Sequence, residues 1–125
     1  VVQIPYLPIN DFIEQIQGAE FCVLPLEPVP FSFGQMRLLQ QMALRKCVIV
    51  SDTPSVQDYV EEGITARVYK AHHPEELEKI MRWAVEKERE KEDIANKAFN
   101  FVKNECNEEI MASNIECFNM KLLNK

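Results

Sequence analysis

The sequence predicts an α/β fold, a doubly wound parallel sheet followed by helices. Three observations carry that expectation. Phe21–Leu24 and Cys47–Val50 are continuous apolar runs, the signature of parallel strands covered on both faces. Stretches with apolar residues at helical spacing lie between and around them. The last third of the chain is helical in pattern only, with no further strand candidate.

Val1–Ile4 is a short apolar strand candidate, stopped by Pro5 and Pro8. A helix fits Asp11–Gln17, capped by Asn10 and ended at Gly18, with Phe12, Ile13 and Ile16 on its apolar face. Phe21–Leu24 is the next strand, and Pro25 stops it. Glu27-Pro28-Val29-Pro30 makes a stiff connector into a loop at Ser32–Gln35, because proline restricts itself and its predecessor. The central helix, about Gln35–Leu44, turns Leu38, Leu39, Met42 and Ala43 inward. Strand Cys47–Val50 follows, with Asp52 at its end. Thr53-Pro54-Ser55 then turns into a short helix that stops at Gly63, with Asp52 and Ser55 as its caps. Thr65–Tyr69 is the last strand candidate.

Ala71-His72-His73-Pro74 links that strand to a helix over Glu75–Lys87, whose Leu77, Ile80, Met81, Ala84 and Val85 form one stripe. Glu86–Asp93 is a charge run with no apolar face, either a solvated helix surface or a helix junction. Two amphipathic helices complete the chain. One uses Ile94, Ala95, Ala98 and Val102, and the other Ile110, Met111, Ile115, Phe118 and Leu122. Trp83 and the phenylalanines read as core.

The 125 residues allow one domain at most. A net charge of −6 argues against a nucleic-acid partner, since binding to a phosphate backbone depends on Lys and Arg. No apolar run approaches the roughly 20 residues of a transmembrane helix, and the start lacks the pattern of a secretory signal. The four cysteines, at 22, 47, 106 and 117, form no Cys-x-x-Cys pair. They read as reduced thiols, which makes the cytoplasm the expected location. The first residue is Val1, not methionine, which suggests a piece of something longer.

The stretch from Phe31 to Asp52 is the functional centre of the sequence. Ser32 and Gly34 are small residues that permit a tight bend and a close ligand. The helix beginning near Gly34–Gln35 points its first free amides back at that loop. Orphan donors and the helix dipole together make an anion site there, beside a strand end where open α/β sheets bind ligands.

The same stretch, Phe-Ser-Phe-Gly-Gln followed by Leu-Leu-Gln-Gln-Met-Ala-Leu-Arg-Lys-Cys-Val-Ile-Val-Ser-Asp, resembles the donor-site segment of retaining GT-B glycosyltransferases of the group 1, glycogen-synthase-like type. Val60-Glu61-Glu62-Gly63-Ile64-Thr65 resembles that family's Val-Glu-Asp-Gly-Val-Thr turn, and Pro74-Glu75-Glu76-Leu77 its Asp-Pro-Glu-x-Leu helix start. The resemblance implies a partial Rossmann-like sheet, the second half of the C-terminal nucleotide-sugar-binding domain, over residues 1–125. It implies hexosyl transfer from a nucleotide-sugar to an acceptor with retention, with neither cofactor nor metal. The acceptor domain and the first strands of the donor domain have no counterpart. Val1–Ile4 would therefore present an unpaired edge to the missing part or to another copy. The isolated chain is expected to be catalytically silent.

Members of that family typically carry two glutamates, the first at the donor sugar and the second at the ribose. Alignment on Met42-Ala43 puts Ser32 and Gln40 at those positions, with seven residues between them, so both carboxylates are absent. Serine can still bond a sugar hydroxyl and glutamine a ribose diol, although neutral bonds are weaker than charge-assisted ones. Ser32, Phe33, Gly34, Gln35, Met36 and Gln40 are thus the expected donor-binding residues, and no catalytic residue is assigned. Some have a structural alternative: Ser32 as a helix cap, Gln40 as a plain helix residue. Glu27 is either a replacement carboxylate or a surface residue, and Arg37 either a phosphate contact or solvent-facing. His72 and His73 lie far along the chain, and adjacent histidines point in different directions, so a shared metal is not expected.

Two rivals remain. One is a non-catalytic Rossmann-like domain with an assembly or regulatory role. The other is a flavodoxin-like receiver, which fits the strand-helix rhythm but lacks the acidic cluster that binds magnesium.

Overall fold

The computed structural model describes residues 8–29 and 34–106. The expected strand Val1–Ile4 and the last amphipathic stretch, Ile110 to Leu122, lie outside the described residues. The described elements run α1 (Ile9–Gln17), β1 (Cys22–Leu24), α2 (Gln35–Ala43), β2 (Val48–Asp52), β3 (Arg67–Lys70), α3 (Pro74–Glu86) and α4 (Glu88–Glu105). The strands form one parallel sheet in the order β1-β2-β3, with Cys22 opposite Val48 and Val50 opposite Val68. This is the expected α/β architecture, a partial Rossmann-like sheet with helices on both faces.

The alternation of side chains along each strand explains the two layers. Cys22, Val48 and Val50 belong to one core with Ile16, Leu38, Met42 and Ala98, so α1, α2 and α4 cover that face. Ile49 and Tyr69 pack with Ile80 and Ala84 of α3 on the other face. Val48, Ile49 and Val50 are wholly buried, which accounts for the uninterrupted apolar run at this point in the sequence. Lys46 ties the layers together at the opposite end. Its Nζ donates to the carbonyls of Gln17 (2.9 Å) and Ala19 (2.7 Å) and so satisfies the end of α1.

Several expectations are corrected. Helix α1 starts at Ile9, because the carbonyl of Pro8 accepts the first helical bond from Phe12 (3.0 Å); Asn10 is inside the helix and does not cap it. On α2, Ala43 is exposed and Gln41 buried, and the Gln41 Oε1 has no hydrogen-bond partner among the described residues. No helix lies between β2 and β3. Pro54 leads into tight turns with bonds from Val56 to Thr53 (3.2 Å) and from Tyr59 to Val56 (2.9 Å), and buried Val56 anchors them to the core. The last strand begins at Arg67, not Thr65. Thr65 turns its Oγ1 to the Glu61 amide (2.9 Å), and a turn through left-handed Gly63 precedes the strand.

Pro74 opens α3 at its first position, where its missing amide costs no hydrogen bond. Of the expected α3 stripe, Ile80 and Ala84 are buried, but Met81 is 38% and Val85 63% exposed. They continue past the edge of β1 and form a shallow apolar groove with Phe21 and Leu77. The charge run spans the junction of α3 and α4 at Lys87, yet Lys91 within it is buried. Its stem packs inside while its Nζ reaches the carboxylates of Glu88 (3.3 Å) and Glu20 (3.8 Å). Trp83 is half-buried: its Nε1 donates to Glu90 (2.8 Å), and Arg67 stacks over its ring. The described phenylalanines, Phe12, Phe21, Phe99 and Phe101, are likewise half-buried and do not form a central core.

Candidate functional site

The carboxyl ends of the three strands point the same way, so the connections leaving β1, β2 and β3 gather along one edge of the sheet. The connection after β1 is fixed first. Ser51 on β2 donates its Oγ to the Leu26 carbonyl (2.7 Å) and accepts the Leu26 amide (2.7 Å). Both polar groups of a buried backbone unit are thereby satisfied. The Leu26 side chain enters the core beneath Gly34.

Gly34 stands at the N-cap of α2 with φ 81°, a left-handed conformation that favours glycine. Its place is dictated by contact as well as by dihedral angle, since a Cβ there would lie 2.4 Å from Leu26 Cδ2. The first helical bond runs from the Leu38 amide to the Gly34 carbonyl (3.1 Å). The amides of Gln35, Met36 and Arg37 therefore have no acceptor within the helix, and the N-cap residue Gly34 offers them no side-chain cap. With the helix dipole, such a terminus favours an anion by about 0.3–1 kcal/mol.

Of the expected donor residues, Ser32 and Phe33 lie outside the described residues. Gly34, Gln35 and Met36 come together at the α2 terminus. The Gln35 side chain is committed to the protein: its Nε2 donates to the Ser55 carbonyl (2.7 Å) and holds the turn after β2 against α2. The Met36 side chain is 75% exposed, which leaves its amide as its polar contribution. Gln40 is half-buried and about 7.5 Å further along the helix axis than Gln35. Arg37 stacks its guanidinium over the Phe12 ring of α1, 4.2 Å from the centroid, and so is held on the α1 side. Asp52 and Ser55 cap no helix, because none follows. The Ser55 Oγ instead meets buried Thr53 Oγ1 at 3.2 Å.

The sequence reading missed the pinning of Leu26 by Ser51, and also a contact between two connections. His72 is far from the loop in sequence, but the β3–α3 turn brings its Nε2 to 3.1 Å from Glu27 Oε2. The positive φ of His72 (65°) is the conformational feature of that turn, and adjacent sequence carries no signal for it. Among the described residues no group of three or more His, Cys, Asp or Glu could hold a metal. Cys22, Cys47 and Cys106 are free thiols, and burial pushes all three up from the ordinary value of 9.0, Cys47 to about 11. Cys117 lies outside the described residues.

An open parallel sheet with helices on both faces is a partial Rossmann-like fold. Residues 4–101 match the model of the family described as glycosyl transferases group 1, and the chain belongs to that family. Sugar transfer is therefore its general class of activity. No curated protein and no solved structure matches it. No described helix is long and apolar enough to cross a membrane.

Proposed function

We propose that this chain is the donor-binding half of a retaining, GT-B-type glycosyltransferase that passes a hexosyl group from a nucleotide-sugar to an acceptor. The observation that carries the reading is the α2 terminus, where left-handed Gly34 and the amides of Gln35 and Met36 face the carboxyl edge of the sheet. Those donors suit a diphosphate, whose charge grows as the sugar leaves, so they act most strongly in the transition state. The reading calls on no metal or cofactor; the nucleotide-sugar is substrate. Gln40 would meet the ribose and Ser32 the sugar.

The chain is read as a partial domain. β1 pairs on one side only among the described strands, and Met81 and Val85 expose apolar surface beside it. The remainder of the domain or another copy would cover that edge, and the chain alone would be catalytically silent. Buried, reduced thiols support a cytoplasmic setting. A second reading, a non-catalytic domain, gains from the engagement of Gln35 and Arg37 within the protein, which leaves little but backbone to hold a donor.

An amide-resolved NMR titration with UDP, GDP, ADP and their sugar conjugates tests the donor site. The expected result is shifts centred on Ser32, Gly34, Gln35, Met36 and Gln40 with one nucleotide. Silence at every amide of the folded chain, repeated in the full-length protein, would eliminate the donor reading and leave the non-catalytic one.

A further inference from the structure

We infer that Gln35 is a positioning residue for the donor diphosphate. Its side chain grips the β2–β3 connection and so keeps its own amide and that of Met36 aimed at the carboxyl edge of the sheet. This role deepens the donor-site reading and depends on it. That reading stands on membership of a sugar-transferring family as well as on the helix terminus.

Gln35 is the first residue of α2, directly after left-handed Gly34. Its two sets of donors point to different partners. The backbone amide has no acceptor within the helix. The side-chain Nε2 donates to the Ser55 carbonyl at 2.7 Å, in a half-buried setting and across 20 residues of chain. A rotation of the first turn of α2 therefore moves the free amide and breaks the side-chain bond together. The coupling lies within one residue and needs no relay through the core.

The segment that Gln35 holds is firm. Thr53 is wholly buried, and its Oγ1 meets the Ser55 Oγ at 3.2 Å. The Val56 amide donates to the Thr53 carbonyl (3.2 Å), and the Val56 side chain is wholly buried in the core that also contains Leu38 of α2. The Ser55 carbonyl is thus presented by a turn anchored on both sides of it. Leu26 supports the cap from beneath Gly34, and Gln35 restrains it from the side of the β2–β3 connection.

The bond has an electrostatic consequence. A carbonyl oxygen carries partial negative charge, and left bare beside the α2 terminus the Ser55 carbonyl would repel a diphosphate. The Gln35 amide covers it. The residue type fits both tasks, because glutamine supplies N–H donors on a neutral side chain. A glutamate here would offer the Ser55 carbonyl only an acceptor, and would fill the terminus with its own charge. No acidic residue occupies the first turn of α2. The Gln35 side chain does not touch the donor; it holds the amides that do.

The test has a ligand-free arm. The side-chain amide protons of Gln35 should exchange with solvent roughly tenfold more slowly than those of Gln17, which is exposed at the end of α1. Equal exchange would show that the bond is not kept in solution and would overturn the assignment.

The binding arm titrates inorganic pyrophosphate at fixed pH and follows the amide shifts of Gly34, Gln35 and Met36, in the chain alone and in the full-length protein. Gln35→Met keeps the length and removes the donor. It should weaken binding by about twofold to tenfold, the net contribution of one hydrogen bond. Affinity is taken for the folded fraction, known from a urea curve for each variant, so a role confined to stability leaves it unchanged. Should Gln35→Met fold poorly, Gln35→Asn replaces it: the same amide, one methylene short of Ser55, with the same loss expected. Gln35→Glu should abolish binding yet lower the urea midpoint less than Gln35→Met, because an acid in the first turn favours the helix. Pyrophosphate binding by the folded Gln35→Met or Gln35→Asn variant equal to that of the unaltered protein would overturn the positioning role and leave the donor site standing. Undiminished binding by Gln35→Glu, or no binding by the unaltered protein in either form, would overturn both.

Discussion

Replacing Gly34 by alanine asks the chain to place a methyl group 2.4 Å from Leu26 Cδ2 and 2.7 Å from Cδ1. Two costs combine. The left-handed φ of 81° costs an alanine about 1–2 kcal/mol. Forcing extra volume against a packed side chain costs a further ~1–3 kcal/mol. Leu26 cannot yield by shifting its backbone, because Ser51 holds both its amide and its carbonyl. It must leave its rotamer within a core it helps to fill. The combined loss is therefore about 2–5 kcal/mol, out of a total that for such domains is about 5–15 kcal/mol.

Urea denaturation of the two other glycine variants separates the terms. Gly63 has φ 76° and open space for 4 Å around the position a methyl would take, so Gly63→Ala should cost only the backbone term, about 1–2 kcal/mol. Gly18 is right-handed, and a Cβ there would meet the Glu14 carbonyl oxygen at an ordinary 3.6 Å. Gly18→Ala should be neutral or stabilising, by up to about 1 kcal/mol. If Gly34→Ala shifts the midpoint no further than Gly63→Ala at equal slope, Leu26 is not a barrier. The account of how the α2 cap is placed would then be wrong.

Other expectations follow from the same contacts. Ser51→Ala leaves the Leu26 amide and carbonyl without their partner and should cost about 1–3 kcal/mol in the same denaturation assay; a loss below about 0.5 kcal/mol would show that water replaces the hydroxyl. Cys47 should be inert to thiol reagents at neutral pH until the chain unfolds, because burial holds its thiol at about 11, more than the nearby Arg67 and Lys91 lower it. Between about pH 9 and 11 an unfolded chain releases this proton and the folded one keeps it. Stability is therefore fully present below 9 and falls through that window by about 1–3 kcal/mol, which Cys47→Ala should reduce relative to the unaltered chain.

The layer structure was legible in the sequence because burial on two faces leaves an unbroken apolar run, as at Cys47–Val50. The start of α2 at Gln35 was legible from Gly34 beside a helical repeat. Residue patterns identify an apolar stripe but not the element that covers it. Gln41 is buried although it is polar, while Met81 and Val85 of the expected α3 stripe are exposed. Lys91 was invisible inside a charge run because a long aliphatic stem can be buried while its head remains among carboxylates. In the candidate site, the placement of Gly34, Gln35 and Met36 at a helix start was legible from local chemistry. Ser51, Leu26 and the Glu27–His72 contact were not, since each depends on strands meeting across the sheet and leaves no mark on neighbouring residues.

The strand order has a consequence for how the molecule forms. β2 is paired on both sides, each partner being the strand nearest to it along the chain. The sheet can therefore zip outward from its middle strand without threading one segment between two others. The entropic cost of closing such loops grows only slowly with length, although parallel pairings are non-local and slow to form. A middle strand that assembles early also comes apart late. The carboxyl-edge connections can thus fluctuate while Val48–Val50 remain an intact seam.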